Sequence, residues 1–275
     1  MDDLKIENTV AMVVGRRLSV RRLLHRKSVP VARPLLVFLH EGLGSIALWR
    51  DFPQALSRVT GCDALIYDRM GHGRSSGLTE IRTADYLHEE AQLFLPPLVE
   101  RFARGPVVLV GHSDGGSIAL LYASSFPRRV VGVITEAAHI SVERKALSGI
   151  RRTVAAYEQG GLRERLYRYH GENVDALFKG WSETWLAPGF RDWNIEACLS
   201  KISCPLLVIQ GADDEYGTVA QVEAITEKSA GDALAVIVDD CAHVPHLQAG
   251  ERVLAEMKGF VLTRCLGFGS DGLVV

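Results

Sequence analysis

Cysteine is scarce in this chain, and its positions follow neither a metal-binding nor a disulfide pattern. The sequence has five cysteines in 275 residues, with no C-x-x-C pair and no mixed cysteine and histidine spacing. They are Cys62, Cys198, Cys204, Cys241 and Cys265. This distribution argues against a zinc site or a disulfide framework and predicts reduced thiols.

Long apolar runs are also missing. No apolar segment approaches the roughly 20 residues that a membrane-spanning helix needs. The chain starts without the basic segment and apolar stretch of a secretory signal. We therefore expect a cytoplasmic protein that has no membrane partner.

The chain lacks a strong excess of either charge. Its formal net charge is −2 at pH 7, which favours no polyanionic partner. A basic cluster near the start of the chain alternates with Leu18, Val20 and Leu23, as in a half-exposed hairpin. The cluster consists of Arg16, Arg17, Arg21, Arg22, Arg26 and Lys27. We interpret it as a solvated face and expect no nucleic-acid partner.

Short apolar runs alternate with helical patterns through most of the chain, and an opening hairpin is predicted around Gly15-Arg16. The predicted strands are 10–14, 18–24, 35–39, 64–67, 107–110, 130–134, 206–209 and 233–238, and the clearest helices are 83–102 and 117–125. This alternation is typical of an α/β protein with a mostly parallel, doubly wound sheet. The glycine-rich tail, 267–275, has no periodicity and is predicted to be disordered.

The alternation stops after Thr135 and resumes at Pro205. Residues 138–200 are polar, helix-prone and rich in aromatic residues, which indicates a helical cap inserted into a core made of residues 1–137 and 201–275. The aromatic residues are Tyr157, Tyr167, Tyr169, Phe178, Trp181, Trp185, Phe190 and Trp193. We expect most of them to pack the cap onto the core and two or three to line a pocket.

The most informative motif is Gly111-His112-Ser113-Asp114-Gly115, which follows an apolar run and precedes a helical pattern. This G-x-S-x-G arrangement predicts a sharp turn from strand to helix, in which the serine takes strained backbone geometry that the glycines permit. The serine hydroxyl then lies at a helix N-terminus, where the amide of Asp114 points at developing negative charge. A tight turn with a structural serine is the alternative, but it leaves the motifs below unexplained.

A nucleophilic serine needs a histidine that accepts its proton and an acid that orients the histidine. In a strand-turn-helix arrangement both follow the carboxyl ends of strands. The predicted strand 206–209 runs into Gly211-Ala212-Asp213-Asp214, and the predicted strand 233–238 runs into Cys241-Ala242-His243-Val244-Pro245-His246. The chain therefore offers the three groups in the order serine, acid, histidine.

Two further segments complete a resemblance to the α/β-hydrolase superfamily. Leu39-His40-Glu41-Gly42-Leu43-Gly44-Ser45 resembles the family's oxyanion loop, and Asp68-Arg69-Met70-Gly71-His72-Gly73-Arg74-Ser75 resembles its D-x-x-G-x-G-x-S turn. The similarity spans nearly the whole chain. The resemblance implies a mostly parallel, eight-stranded sheet of the α/β-hydrolase type with a helical cap.

By this resemblance Ser113 is the nucleophile, His243 is the general base and then the general acid, and Asp214 orients His243. Asp213 is an adjacent alternative, but Asp214 stands three residues after Gly211, where the family's acid usually falls.

Two other residues compete for the same roles. Some relatives place the acid after the strand that precedes the cap, where Glu136 stands here. His246 is an alternative base, but the family's histidine usually comes first in its turn, which favours His243.

The resemblance also assigns the oxyanion hole to the amide of Asp114 and an amide of the oxyanion loop, either Gly42 or Leu43. One departure is Glu41, which stands where many relatives have glycine. Its carboxylate is expected either to point to solvent or to repel anionic substrates. The segment 215–218 also lacks the proline that commonly follows the acid, which weakens assignment to any one subfamily.

These features predict a serine hydrolase, free of metal and cofactor, that cleaves a small to medium carboxylic ester, thioester or lactone. Alternatives on the same fold are a carbon–carbon hydrolase of aromatic ring-cleavage products, a lyase or perhydrolase, and a slow-turnover ligand receptor. A haloalkane dehalogenase is disfavoured because it would carry aspartate in place of Ser113. The expected partner is a small-molecule substrate, and the expected state is a monomer or homodimer.

Overall fold

A central sheet organises the computed structural model, which describes residues 4–26, 33–79 and 82–267. Within these ranges eight strands have the order β1-β2-β4-β3-β5-β6-β7-β8. They are β1 (Leu4–Val13), β2 (Arg16–His25), β3 (Leu35–Leu39), β4 (Ala64–Tyr67), β5 (Val107–His112), β6 (Val130–Glu136), β7 (Leu206–Gly211) and β8 (Ala233–Val238). Strands β3 to β8 are parallel, and the β1–β2 hairpin adds two antiparallel strands at one edge.

The opening hairpin differs from the sequence prediction in its turn. Val13 pairs with Arg16, so the turn consists of Val14 and Gly15, one residue earlier than expected. Both turn residues have positive φ, 49° and 70°. Two-residue hairpin turns favour this backbone because it matches the twist of the strands. The pattern of apolar residues located the hairpin correctly but not its turn.

Helices cover both faces of the sheet. They are α1 (Phe52–Thr60), α2 (Tyr86–Glu89), α3 (Leu95–Phe102), α4 (Asp114–Ser125), α5 (Arg144–Gln159), α6 (Leu162–His170), α7 (Val174–Leu186), α8 (Glu196–Leu199), α9 (Val219–Lys228), α10 (Pro245–Gln248) and α11 (Gly250–Phe260). A hydrophobic core lies on each face of the sheet, and successive strand residues point alternately into the two cores. Val37 and Leu109 belong to one core, and Leu36 and Val108 belong to the other. Among the described residues, no helix combines the length and the apolar character needed to cross a bilayer.

The segment 83–102 is not the single helix that its periodicity predicts. It is divided into α2, a π-helical turn over Glu90–Phe94, and α3. Pro96 and Pro97 explain the break, because they have no N–H to donate to the carbonyl groups four residues earlier. The backbone widens into a π turn just before them.

The carboxyl ends of the parallel strands face the segment between β6 and β7, which contains α5 to α8. This segment contacts the body through His170 in α6. The His170 Nδ1 accepts the Gly73 amide at 2.9 Å, and its Nε2 donates to the Leu43 carbonyl at 3.0 Å. The assignment of 138–200 as a separate cap stays a prediction. Of the tail expected to be disordered, residues 268–275 lie outside the described residues.

The turn between β5 and α4 brings three backbone segments into close contact. Ser113 has φ 54° and ψ −117°, a conformation that is strained for any residue with a side chain. A Cβ atom at Gly115 would lie 1.9 Å from the Leu39 carbonyl oxygen, and one at Gly111 would lie 2.2 Å from the Gly115 carbonyl oxygen. Helix α4 consequently begins at Asp114, three residues before the predicted start.

The substitution Gly115→Ala tests how far this turn depends on the missing side chain. We expect it to lower the free energy of unfolding by about 1–3 kcal/mol, because the added methyl group overlaps the Leu39 carbonyl. Gly105→Ala is the matched control, because a Cβ there meets nothing within 4 Å. Urea unfolding of both variants gives the comparison. Equal stabilities would show that the turn relaxes without cost.

Candidate active site

A cavity of about 90 Å³ lies at the carboxyl edge of the sheet, beneath the inserted helices. Its lining includes Gly42, Leu43, Ser113, Asp114, Trp181 and His243. Five of these six, all except Trp181, were predicted from the sequence as site residues, and the structure brings them to one place although they lie on three different segments of the chain.

Ser113 lies between the end of β5 and the first turn of α4. Its amide donates to the Glu136 carbonyl at 2.8 Å, and its own carbonyl accepts the Gly116 amide at 2.8 Å. Asp114 is the first residue of α4, and the first amides of a helix have no partner within the helix. The positive end of the helix dipole therefore faces the side of the cavity where Ser113 lies.

Asp214 and His243 form a hydrogen-bonded pair. His243 Nδ1 lies 2.9 Å from Asp214 Oδ1, and the amides of Tyr216 and Gly217 donate to the same carboxylate oxygen at 2.8 and 3.2 Å. Burial raises the pKa of Asp214, but the hydrogen bond from His243 and the two amides outweigh it and lower the pKa to about 2. Asp214 is therefore an anion at neutral pH, able to orient His243 and stabilise its protonated form.

The adjacent Asp213 does not take part in this pair. Its side chain is exposed, whereas Asp214 is fully buried. The Asp213 amide donates to the Cys241 carbonyl at 2.9 Å, which ties the segment after β7 to the segment that carries His243. This contact leaves Asp214, rather than Asp213, facing the imidazole.

The two competing candidates, Glu136 and His246, bind each other instead. His246 Nδ1 lies 2.5 Å from Glu136 Oε2, and both side chains are buried. The His246 ring packs against Trp49, with ring centroids 4.5 Å apart, and against Phe52 at 5.5 Å. The sequence offered these two residues as separate alternatives and did not indicate that they contact each other.

The oxyanion loop is held through its carbonyl groups. The Gly42 carbonyl accepts from His72 Nε2 at 3.0 Å, and the Leu43 carbonyl accepts from His170. Trp181 of α7 lies directly over the loop, since a Cβ at Gly42 would be 2.3 Å from its indole nitrogen. A glycine is required there because the indole occupies the space a side chain would need.

Glu41 lines the cavity beside a histidine, a partner that the sequence did not indicate, and its expected repulsion of anionic substrates stays a prediction. Its carboxylate lies 3.5 Å from His112 Nδ1, and His112 Nε2 donates to the His243 carbonyl at 2.7 Å. Burial lowers the pKa of His112, but the carboxylate of Glu41, 3.5 Å from Nδ1, outweighs it and raises that pKa above its ordinary value. Burial likewise raises the pKa of Glu41, but His112 lowers it well below its usual range.

His139 is a cavity residue that the sequence did not point to. It follows β6, is 3 % exposed, and its ring centroid lies 6.0 Å from that of His243. Burial, together with the charge of His243, lowers the pKa of His139 to about 4, so the ring is neutral at pH 7. Its Nδ1 is buried without a hydrogen-bond partner among the described residues. No short motif surrounds it that could have marked it.

Two of the eight aromatic residues of the insertion, Trp181 and Trp185, line the cavity together with Ala146 and Ile150. The others pack among themselves or face solvent. Phe190 stacks on Trp193 and Phe178 stacks on Tyr157, while Tyr167 and Tyr169 are exposed. The inserted helices thus contribute an apolar wall opposite Ser113.

The described residues form no metal-binding cluster. Among the described residues, no group of three or more histidine, cysteine, aspartate or glutamate side chains is arranged to hold a metal ion. The expectation of a site without metal or cofactor stays a prediction.

The doubly wound sheet and the strained serine after β5 are the arrangement of the α/β-hydrolase fold. A sequence profile of the alpha/beta hydrolase family matches residues 36–256, and the chain belongs to this family. The eight-stranded, mostly parallel sheet with helices on both faces confirms the fold expected from the sequence.

Known proteins similar to this chain carry several activities. It is 26 % identical over 267 residues to a proline iminopeptidase of Saccharolobus solfataricus, covering 82 % of this chain and 84 % of that protein. Among solved structures, the 2-hydroxy-6-oxo-6-phenylhexa-2,4-dienoate hydrolase of Rhodococcus sp. strain RHA1 aligns with a TM-score of 0.76 and 17 % identity, covering 92 % and 99 % of the two chains. The enol-lactonase of Burkholderia xenovorans LB400 aligns with a TM-score of 0.69 and 19 % identity, over 92 % and 99 %. These two likenesses concern the fold alone.

Glu41→Gln tests the charge pair beside the site. We expect the variant to lower the pKa of His112, because burial then acts without the opposing carboxylate. Because the pKa of His112 is raised in the folded state, its protonation stabilises the fold. This stabilisation is complete at pH values below the ordinary pKa of 6.5 and is lost as the pH rises through the raised pKa. The stability lost in the variant should therefore be larger at pH 6 than at pH 9.

NMR titration of the imidazole protons and unfolding at the two pH values measure these effects. Glu223→Gln, an exposed change on α9, is the control. An unchanged His112 titration in Glu41→Gln would contradict the assigned pair.

Proposed function

We propose that this protein is a serine hydrolase that forms an acyl-enzyme on Ser113. One observation carries the proposal: the strained Ser113 and the Asp214-paired His243 line the same cavity. A serine hydroxyl becomes a useful nucleophile when a histidine accepts its proton and a buried carboxylate stabilises the resulting imidazolium.

In the first half of the reaction Ser113 Oγ attacks the substrate carbonyl carbon, and its proton passes to His243 Nε2. The other ring nitrogen of His243, Nδ1, donates its hydrogen bond to Asp214 Oδ1 and therefore keeps its own proton. The imidazolium then returns the proton to the leaving group, the bond between carbon and leaving group breaks, and an ester of Ser113 remains.

The negative charge that develops on the carbonyl oxygen needs preorganised donors. We assign these to the amide of Asp114 at the start of α4 and to an amide of Gly42 or Leu43 in the oxyanion loop. All three residues line the cavity beside Ser113. In the second half His243 takes a proton from water, the hydroxide attacks the acyl carbon, and Ser113 Oγ leaves with that proton.

The cavity favours a small to medium ester, thioester or lactone with an apolar acyl part. Its volume is about 90 Å³, and Ala146, Ile150, Trp181 and Trp185 form its apolar wall. Such a wall excludes water and contacts the non-reacting part of a substrate. The resemblance in fold to an enzyme named enol-lactonase is compatible with a lactone substrate.

A second candidate is hydrolysis of a carbon–carbon bond in a diketone from aromatic ring cleavage. The observation in its favour is His139, whose neutral, buried ring lines the cavity and can hydrogen-bond a second oxygen of the substrate. The same serine and histidine would serve this reaction. A slow-turnover receptor is the third possibility on this fold, and it differs by labelling without sustained turnover.

The first test compares the wild type with Ser113→Ala on p-nitrophenyl esters of increasing chain length. We expect loss of turnover by at least about 10³-fold in the variant, with folding retained, and the highest kcat/KM in the wild type for short acyl chains. Labelling by a phosphonate, read by intact mass, should occur only in the wild type. Near-normal turnover by Ser113→Ala would disprove the acyl-enzyme, and labelling without ester turnover would favour the other two candidates.

The adjacent aspartates provide a second test with a built-in control. Asp214→Asn should lower kcat by about 10⁴-fold, because His243 loses the anion that fixes its tautomer and stabilises its charge. Asp213→Asn should leave kcat within about twofold, since its side chain is exposed and Asp214 is the carboxylate bonded to His243 Nδ1. Steady-state kinetics measure kcat for both variants, and a similar loss of kcat in both would contradict the role assigned to Asp214.

A further inference from the structure

Arg69 is a fully buried arginine in the segment that follows β4. Its backbone amide donates to His40 Nε2 at 3.1 Å, and His40 Nδ1 in turn donates to the Glu41 carbonyl at 2.8 Å. A buried guanidinium is costly unless it is paired and hydrogen-bonded, so its partners indicate what it does. The catalytic steps above make no use of this residue.

One nitrogen of Arg69 contacts both sides of the oxyanion hole. Nη2 donates to the carbonyl of Glu41 at 2.8 Å, and Glu41 is the residue directly before Gly42 in the oxyanion loop. The same Nη2 lies 3.5 Å from Asp114 Oδ2, and the amide of Asp114 is the donor assigned on the other side. The two donors come from separate elements, the loop after β3 and the start of α4, and Arg69 joins them.

Asp114 is held from a second direction by Tyr86 of α2, which is itself bonded to Trp185 of the inserted helix α7. Tyr86 Oη donates to Asp114 Oδ2 at 2.7 Å, and Trp185 Nε1 donates to Tyr86 Oη at 2.8 Å. All four side chains, from Arg69 to Trp185, are at least 97 % buried. A continuous chain of polar contacts therefore runs from the oxyanion loop through Asp114 to a residue that lines the cavity.

We propose that Arg69 is a positioning residue that sets the distance between the two halves of the oxyanion hole, with Tyr86 as its auxiliary. This inference rests on the proposed function. An oxyanion hole is effective only when its donors are fixed before the charge develops, and small displacements of a catalytic group cost large factors in rate. Arg69 also neutralises the Asp114 carboxylate, which would otherwise oppose the oxyanion.

The test uses the full chain with Arg69→Lys, Arg69→Met and Tyr86→Phe, and Arg74→Lys as an exposed control in the same turn. Phosphonate labelling to completion counts the active sites, and the rate of labelling reports on the oxyanion hole. We expect both arginine variants to label completely but to lose about tenfold or more in kcat per labelled site and in labelling rate, with KM within twofold. Tyr86→Phe should show a smaller loss in the same two rates.

A purely structural role would give a different result. It would lower the melting temperature or the fraction of labelled sites while kcat per labelled site stayed unchanged, and that outcome would overturn the inference. If Arg69→Met does not fold, Arg69→Lys and Tyr86→Phe decide by the same criterion. If the wild type neither hydrolyses esters nor labels, the proposed function fails as well, whereas normal rates in all variants of an active enzyme refute the Arg69 proposal alone.

Discussion

The contact of backbone with backbone at the turn after β5 is the constraint on which the rest of the site depends. Gly115 packs so closely on the Leu39 carbonyl that α4 can start at only one place relative to β3. Leu39 pairs with Gly111 in the parallel sheet, so the oxyanion loop leaves β3 beside Ser113. The strain of Ser113 is compensated by the packing of two strands and a helix, and that packing also aligns the two segments to which we assign the oxyanion-hole amides.

The order of the strands explains why two buried carboxylate–imidazole pairs occur side by side without exchanging partners. Glu136 ends β6 and binds His246, while Asp214 follows the neighbouring β7 and binds His243. The two histidines are three residues apart in the turn around α10, and their side chains enter different layers. His246 lies among Trp49 and Phe52, whereas His243 faces the cavity. A short turn between the histidines thus separates a structural pair from one that can reach a substrate.

Local patterns were sufficient to predict most of the fold and part of the site. Apolar runs reveal buried strands, and glycine spacing reveals the turn at Ser113, because both are fixed by neighbours in the sequence. The turn at Val14 and the π turn before Pro96 depend on backbone details that periodicity does not encode. Glu41 with His112, and Arg69 with Asp114, were missed because each pair joins segments far apart in the chain. A single sequence shows which residues are charged, but not which charge each of them meets.

Those missed pairs solve an electrostatic problem that the proposed chemistry creates. Glu41 and Asp114 both line the cavity, and two free carboxylates beside the oxyanion hole would oppose the charge that develops there. His112 compensates Glu41 and Arg69 compensates Asp114, each from a buried position where the interaction is weakly screened. The first compensation depends on pH and the second does not, because histidine can lose its proton and arginine cannot. As pH rises through the raised pKa of His112, the Glu41 charge loses its compensating cation, whereas Arg69 still compensates Asp114.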